Sequence, residues 1–261
     1  MKRLATTLSL LAAIAVAATA SAGTIVFTGS EADFPVADLK VDDGIDTQAF
    51  DCGFGPVDHS LDIGKVYITN DATKLYIGFQ YQRFCFCDMQ LGMAINTKAG
   101  GTTVDAFSHQ IDWSLAADAP DYYIYDVIPT NCNGFNYEVL YRANGANGWN
   151  TVQDGPNGLG IVDTDGGNFV EIAIELVALE LTGCNQDIGI ELWTTQEGNS
   201  KPAFDLVVND NEQRSTPGGT CFDVGNPCGP SQPREYCPYT IECPPVGVED
   251  ATWSKVKALL Q

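Results

Sequence analysis

The chain has 261 residues, and its 34 acidic side chains outnumber its 13 basic ones, giving a net charge of −21. This charge argues strongly against a nucleic-acid partner, because phosphate groups require a basic surface. An acidic surface attracts cations such as calcium, although solubility alone also explains most of these side chains. Beyond the N-terminus, no apolar stretch approaches the roughly 20 residues of a membrane-spanning helix, so we expect no membrane span.

The first residues have the pattern of a secretory signal peptide. A positively charged start, Met1 to Arg3, precedes an apolar run over residues 8–18 and small residues at 20–22. We therefore predict that residues 1–22 are removed and that the protein is secreted to an extracellular, periplasmic or cell-surface location. Nine cysteines fit an oxidising compartment, and their odd number leaves at least one thiol free or bonded to another molecule.

The first part of the mature chain predicts a strand, a long acidic loop and a hairpin. Residues 24–28 (TIVFT) form the strand, and residues 29–64 form the loop, which is rich in aspartate, glycine and proline. Tyrosine and β-branched residues alternate over residues 65–70 and 74–81, with an Asn-Asp pair as turn residues between them. This pattern indicates antiparallel sheet.

Period-two alternation continues to residue 208. Its clearest example is the stretch over residues 120–152, which predicts a three-stranded meander. Residues 176–181 change to a helical period and predict a single helical turn that stops at Gly183. Further predicted strands occupy residues 89–96, 108–113, 169–175, 188–194 and 204–208.

The composition changes after the last predicted strand. Residues 211–248 contain four of the nine cysteines and show little periodicity. They predict an irregular, disulfide-rich tail that buries no core of its own and is held by two disulfides. Residues 249–261 have an apolar stripe at helical spacing and predict a short C-terminal helix, a candidate anchoring or sorting segment. The predicted organisation is one sandwich domain over residues 23–210, followed by this tail and helix.

Five segments resemble one group of proteins. The hairpin KVYITNDATKLYIGFQY, the stretch from LGMAINTKAG to DAFSHQIDW, the segment PDYYIY, the strands in YEVLYRANGANGWNTV and the strand and turn FVEIAIELVALEL are similar to DOMON-like exported β-sandwiches. This group includes family 9 carbohydrate-binding modules and the C-terminal domains of glucodextranase. The resemblance covers residues 24–208 and implies an all-β, two-layer antiparallel β-sandwich (jelly-roll-like), with sugar binding on aromatic rings and structural calcium. Members also bind haem or serve structural roles, so the fold alone implies no single ligand.

Four aromatic rings are candidate ligand-binding residues. Sugars stack their C–H faces on tryptophan and tyrosine rings, and two or more exposed rings together make a platform. Trp149 is the strongest candidate, because it follows a glycine turn at the start of a strand. The alternative is that aromatic residues at period two belong to the core. The candidates are Trp113, Tyr122, Trp149 and Trp193.

The candidate calcium ligands are Asp42, Asp43 and Asp46, which surround a glycine in the long acidic loop. Hard cations bind several carboxylate and carbonyl oxygens in such loops, and Ca²⁺ is the only cofactor that we expect. A solvated acidic loop is the alternative. Where members of the resembled group commonly have an acidic turn, this chain has Asn96-Thr97-Lys98, which does not favour calcium at that turn.

Catalytic signatures are missing from the sequence. The two histidines, His59 and His109, belong to no nucleophile elbow and no paired-histidine motif. Two suitably spaced carboxylates suffice for glycoside hydrolysis, but the acidic residues here form no motif, and we predict that the protein is not an enzyme. Haem ligation by His109 with Met89 or Met93 is a further alternative, which we do not favour.

These observations predict a secreted, non-catalytic binding module. Its expected partner is a carbohydrate polymer or a cell-surface component, and the leading hypothesis is polysaccharide or oligosaccharide binding through exposed aromatic residues. The alternative is a structural or cell-surface scaffold that is anchored or assembled through its C-terminal tail. Exposure of Trp113, Trp149 and Trp193 together would favour a binding platform, and their burial would favour a core.

Overall fold

The structure is a computed structural model, and all the residues that it describes belong to one compact unit, Ala22–Pro244. The predicted signal peptide at residues 1–22, Asp46, most of the predicted tail and the predicted helix at residues 249–261 lie outside the described residues. The described residues are 25–44, 49–51, 56–58, 62–81, 89–128, 137–154, 161–165, 168–196, 203, 205–207, 231, 233 and 235–243.

The described residues form mainly β-strands, with short 3-10 turns between some of them. The strands are β1 (Leu39–Asp42), β2 (Ala49–Asp51), β3 (Pro56–Asp58), β4 (Ile63–Asn70), β5 (Lys74–Tyr81), β6 (Met89–Asn96), β7 (Tyr122–Ile128), β8 (Tyr137–Ala143), β9 (Trp149–Asp154), β10 (Ile161–Asp165), β11 (Phe169–Glu175), β12 (Asp187–Gln196), β13 (Asp205–Leu206) and β14 (Cys237–Thr240). The 3-10 turns are Glu31–Asp33, Val36–Asp38, Trp113–Leu115 and Leu176–Leu179. None of the helices in this part of the chain has the length and apolar character needed to cross a membrane.

Two antiparallel sheets form a β-sandwich. The larger, seven-stranded sheet has the order β13-β12-β6-β7-β8-β9, and β14 also pairs with β12. The smaller, five-stranded sheet has the order β1-β4-β5-β11-β10. The predicted hairpin corresponds to β4 and β5, and the predicted meander corresponds to β7, β8 and β9. The prediction of an all-β fold with antiparallel sheets is therefore confirmed.

The inner faces of the two sheets make the main core. Ile77 and Ile172 of the smaller sheet, which are paired with each other, belong to the same buried cluster as Ile124 and Leu192 of the larger sheet. Burial of each such side chain contributes about 1.5–3 kcal/mol to stability. Alternate residues of each strand enter this cluster. A shift of one residue in a strand pairing would therefore move all the core side chains of that strand to the opposite face of the sheet. The period-two pattern thus fixes the register.

The N-terminal segment covers the outer face of the smaller sheet. The sequence predicts a strand at residues 24–28, but residues 25–28 belong to no strand in the structure. Instead, Ile25 and Phe27 pack on a buried cluster that contains Phe34. The alternating apolar residues that suggested a strand therefore cover a sheet without extending one.

The outer face of the larger sheet carries an aromatic layer that the chain also covers. Tyr123 and Trp193 of this face pack with Trp113, which the segment at residues 101–120 brings over the sheet. The ring centroids of Trp113 and Trp193 are 5.3 Å apart, and those of Tyr123 and Trp193 are 5.2 Å apart. Both outer faces of the sandwich are therefore covered by the protein's own chain.

Part of the predicted tail belongs to the sandwich. β14 pairs with β12, and Cys237, Tyr239 and Ile241 enter the main core. The expectation that residues 211–248 lie outside the core therefore does not hold for this segment. Its alternating apolar side chains were too short a run to be recognised as a strand.

The cysteines at the end of this segment have two different roles. Cys243 forms a disulfide with Cys184, which lies between β11 and β12. Cys237 is free and buried, and burial raises the pKa of its thiol to about 11. The thiolate is the reactive form of cysteine, so the raised pKa and the burial of Cys237 are those of a packing residue of the core. The expected free thiol is present, and Cys243 joins this segment to a cysteine outside the predicted tail.

The predicted helical turn is present as the 3-10 turn Leu176–Leu179. It ends at Glu180, where φ is 57°, and not at the predicted Gly183. In this left-handed conformation the Glu180 N–H donates to carbonyl oxygens of the turn, a common way of closing a helix end. The turn places the Glu180 carboxylate beside the ends of strands from the larger sheet, where it forms the ion pairs described below.

Gly92 is required by the aromatic layer. It lies in β6 opposite Trp193, and a Cβ atom at this position would lie 2.1 Å from Cε2 of the indole. Gly92→Ala should therefore displace the ring and lower the free energy of unfolding by about 1–3 kcal/mol, as measured by urea denaturation. Gly183→Ala is the control, because the nearest atom to its added Cβ would be 3.8 Å away. Equal losses in the two variants would contradict this packing argument.

Candidate functional site

The structure brings three of the four predicted ligand-binding rings together, but in the interior. Trp113, Trp149 and Trp193 share the aromatic layer on the outer face of the larger sheet. Trp113 and Trp193 are only 1% and 0% exposed. Tyr122 lies on the opposite face of this sheet, in the main core, and is 0% exposed. Three of the four rings therefore have no free face on which a sugar could stack, because the chain covers both sides of the sheet.

Trp149 alone among these rings retains exposed surface. It is half-buried, and its indole Nε1 donates a hydrogen bond of 2.8 Å to the carbonyl oxygen of Val104. Its ring centroid lies 5.5 Å from that of Tyr123. Trp149 is thus fixed at the rim of the aromatic layer by one hydrogen bond and one ring contact, and it does not form a platform with the other rings.

A buried polar cluster holds the covering segment on the aromatic layer. One carboxylate oxygen of Asp105 accepts the N–H groups of Phe107 and His109 at 2.7 and 2.9 Å and lies 2.9 Å from Nδ1 of His109. The second oxygen accepts the hydroxyl of Tyr123. Burial, followed by the charge of Asp105, raises the pKa of Tyr123 well above its ordinary value, so the phenol remains a donor. The carboxylate therefore joins the covering segment to β7.

The imidazole of His109 borders a cleft of about 370 Å³. In a hydrolytic triad, an acidic residue orients a histidine, and the histidine lies within hydrogen-bonding reach of a nucleophile. Ser108, at φ 65°, is the neighbouring hydroxyl, but no hydrogen bond joins its side chain to His109 in the described structure. The geometry of this pair is explained by its role in tethering the segment, and it adds no support for catalysis.

A second cleft, of about 270 Å³, is lined mainly by residues with polar or charged side chains, and we call it the polar cleft. At its edge, Glu180 forms ion pairs with Lys98, at 2.8 Å between Nζ and Oε2, and with Arg142. All three side chains are about half exposed. The lining residues are Lys98, Asp121, Arg142, Ala143, Asn144, Asn150 and Glu180.

Strand ends of the larger sheet position these side chains. Arg142, near the end of β8, pairs with Tyr122 at the start of β7. Immediately before β7, the buried Asp121 accepts the N–H groups of Thr97 and Lys98 at 2.8 and 2.9 Å. These bonds fix the turn after β6, and that turn carries Lys98 to the cleft. The backbone pairing of β6, β7 and β8 therefore brings cationic and anionic groups to one edge.

The hydroxyl of Tyr122 is buried close to the polar cleft. It lies close enough to Glu180, Arg142 and Asp121 to be affected by their charges. Burial is the main cause that raises the pKa of Tyr122 to about 12, and the Glu180 carboxylate adds to it. This predicted ligand-binding residue therefore brings its hydroxyl, and not its ring face, near the cleft.

The predicted calcium ligands are only partly described. Asp42 ends β1 with an exposed side chain, Asp43 follows it, and Asp46 lies outside the described residues. In the ranges that the structure describes, no three or more His, Cys, Asp or Glu side chains come together as a metal site. The calcium site at Asp42, Asp43 and Asp46 stays a prediction.

The structure separates the residues considered for haem. Met93 belongs to the main core, whereas His109 packs against Tyr125 on the outer face of the larger sheet. Two residues on opposite faces of one sheet cannot ligate the same iron from both sides of a haem. The side chain of Met89 lies outside the described part of the chain.

Asp121, Arg142 and Glu180 are not among the site residues that the sequence predicts. Arg142 occupies a polar position in an alternating strand, which is typical of a solvent-facing residue, and Glu180 lies in a turn 38 positions away from it. The available signal was the placement of Asp121 and Arg142 at neighbouring ends of two strands of one meander. The contribution of Glu180 follows only from the packing of the other sheet.

A scan of protein-family models and searches of curated proteins and of solved structures found no match to this chain.

Proposed function

We propose that the protein is a secreted, non-catalytic module of the DOMON-like kind that binds a saccharide in the polar cleft. The observation that supports this proposal is the composition of the cleft, where carboxylate, amide and cationic side chains converge at one edge of the larger sheet. Sugar hydroxyls both donate and accept hydrogen bonds, so a saccharide site needs donors and acceptors close together. The polar cleft supplies both kinds of group.

The donors of the cleft are held in place before a ligand arrives. One carboxylate oxygen of Glu180 accepts a hydrogen bond from Lys98, and the other accepts one from Arg142. Both cationic groups have further N–H donors that can bind a ligand. The side-chain oxygen of Asn144 accepts the N–H groups of Ala146 and Gly148 at 2.9 and 3.2 Å, which leaves its NH₂ group as a donor. Preorganised side chains lose less conformational freedom on binding, which favours affinity.

Arg142→Ala should weaken saccharide binding about tenfold, because a charged hydrogen bond to a sugar hydroxyl contributes about 1.5–3 kcal/mol. The exposed ion pair itself contributes about 0–1 kcal/mol to folding, so the variant should remain folded. Retardation in a series of native gels, each containing one polysaccharide of a panel, measures the affinity of the protein for that polymer. The wild-type protein should be retarded by at least one polymer.

Lys65→Ala is the matched control. Lys65 is about one-third exposed and, like Arg142, forms an ion pair with a glutamate, Glu31, at 2.8 Å, but it belongs to the smaller sheet. This control should migrate like the wild-type protein in every gel. Retardation that survives Arg142→Ala but is lost in Trp149→Ala would place the binding site at the rim of the aromatic layer and refute the polar cleft.

A structural scaffold is the second candidate function. The observation that favours it is that segments of the chain pack on the aromatic clusters of both outer faces of the sandwich, which makes those ring faces unavailable to a ligand. A scaffold of this kind would contact its partners through edges and termini. Absence of retardation on every polymer of the panel would reject the saccharide proposal and favour the scaffold.

A further inference from the structure

The outer face of the smaller sheet contains a buried carboxylate with an unused oxygen. Glu171 lies in β11 between Phe169 and Ala173, in the region covered by the N-terminal segment, and is 0% exposed. Its Oε2 accepts the N–H of Gly29. Its Oε1 is buried and accepts no hydrogen bond from a donor group of the described residues, whereas the carboxyl group of Asp33 is close enough to share a proton with Glu171. An ionised oxygen in this position is costly unless a donor or a cation satisfies it.

A second carboxylate lies beside the first. Asp33 belongs to the 3-10 turn Glu31–Asp33, and its Oδ2 accepts the N–H and the hydroxyl of Thr28 at 2.8 and 2.6 Å. Asp33 is close enough to Glu171 to add to the effect of burial, which is the main cause that raises the pKa of Glu171 to about 7. Two carboxyl groups this close need either a shared proton or a cation between them.

Basic side chains do not fill this role. In the part of the chain that the structure describes, no lysine, arginine or histidine pairs with Asp33 or Glu171. The neighbouring cation, Lys65, is bound by Glu31 at 2.8 Å. The two carboxylates therefore present negative charge that no described basic group of the protein balances.

We propose that Asp33 and Glu171 bind a hard divalent cation, with Ca²⁺ as the best-fitting ion, which fastens the N-terminal segment to the smaller sheet. Carboxylate oxygens are preferred ligands of Ca²⁺, and backbone carbonyls and water complete its coordination in proteins. Half-buried Asp33 gives the ion a route from solvent, and buried Glu171 gives it a ligand that water does not screen. Asp33 belongs to the same predicted loop as Asp42, but this pair includes none of the three aspartates predicted as calcium ligands.

Calcium should stabilise the wild-type protein and leave Glu171→Gln unaffected. Above neutral pH, a millimolar excess of CaCl₂ over EDTA should raise the midpoint of thermal unfolding by about 5 °C, because an ion that binds only the folded state stabilises it. Glu171→Gln should show no rise. In EDTA this variant should be at least as stable as the wild type, because the amide can donate to Asp33, so loss of the response would not reflect loss of the fold. Calorimetric titration with CaCl₂ gives the stoichiometry, expected to be one ion per chain at this pair.

Asp42→Asn is the matched control, and it should keep the full response to calcium. Loss of the response in Asp42→Asn with retention in Glu171→Gln would place the ion in the acidic loop and overturn the proposal. A shared proton is the other alternative. In that case, CaCl₂ and MgCl₂ would not change the stability of the wild-type protein, and its stability would increase as the pH falls below about 7. Glu171→Gln would show no such increase. That result would also overturn the cation site.

Discussion

Asp105→Ala should lower the free energy of unfolding by about 4 kcal/mol, because breaking a buried polar cluster leaves its donors without partners. The side chain of Asp105 is fully buried and accepts hydrogen bonds from Phe107, His109 and Tyr123. In the variant, two backbone N–H groups and the Tyr123 hydroxyl lose their acceptor. Urea denaturation followed by circular dichroism measures the loss.

Asp112→Ala is the matched control within the same segment. The Asp112 carboxylate accepts the N–H and the hydroxyl of Ser114, both at 2.9 Å, but in an exposed setting. As the cap of a short turn it should contribute only about 1 kcal/mol. Tryptophan fluorescence adds a second readout, because release of the segment in Asp105→Ala would admit water to Trp113 and shift the emission to longer wavelength. Equal losses of stability in the two variants would contradict the tethering role of Asp105.

The strands could be predicted from the sequence because their alternation is local. In β7 and β8, Tyr122 and Leu140 face one side and Tyr123 and Tyr141 face the other, as period two requires. The hairpin of β4 and β5 had both this alternation and suitable turn residues. These features determine the pleat and the turns before any long-range contact forms, so the prediction of an antiparallel all-β fold followed from them.

The burial of the aromatic residues could not be predicted in the same way. Alternation distinguishes two faces of a strand, but it does not tell which face another part of the chain covers. Trp193 resembles an exposed sheet residue in sequence, yet Trp113 packs on it from a segment that is 80 positions away along the chain. The candidate platform therefore became part of the core, and the polar groups at strand ends became the stronger candidate site.

Glu171 illustrates the same limit for a charged residue. In the strand FVEIAIE it occupies the position of a solvent-facing acid, which is how period two alone would place it. Its burial depends on Gly29, which precedes it by 142 positions. Such contacts between distant segments are set by how the covering segments close over the sheets. This explains why neither carboxylate of the proposed cation site emerged from the sequence.

Replacing both Cys184 and Cys243 with serine should lower the free energy of unfolding by about 4 kcal/mol, the value that the chain-entropy model gives for a loop of this size. The two cysteines are separated by 59 positions, and the disulfide restricts that whole loop in the unfolded state. The folded segment should persist, because the Asn185 N–H still donates to the carbonyl oxygen of Ile241 at 2.7 Å. Urea denaturation measures both the midpoint and the m-value.

Cys237→Ala is the control for this double variant, because it removes a cysteine that takes part in no disulfide. Substitution is preferable to a reductant, which would act on every disulfide of the chain at once. If the cross-link acts through the unfolded state, the double variant should show a larger m-value, since its unfolded chain exposes more surface. A loss of stability with an unchanged m-value would instead mean that the disulfide supports native contacts of β14. A loss no larger than that of Cys237→Ala would contradict a stabilising role for the cross-link.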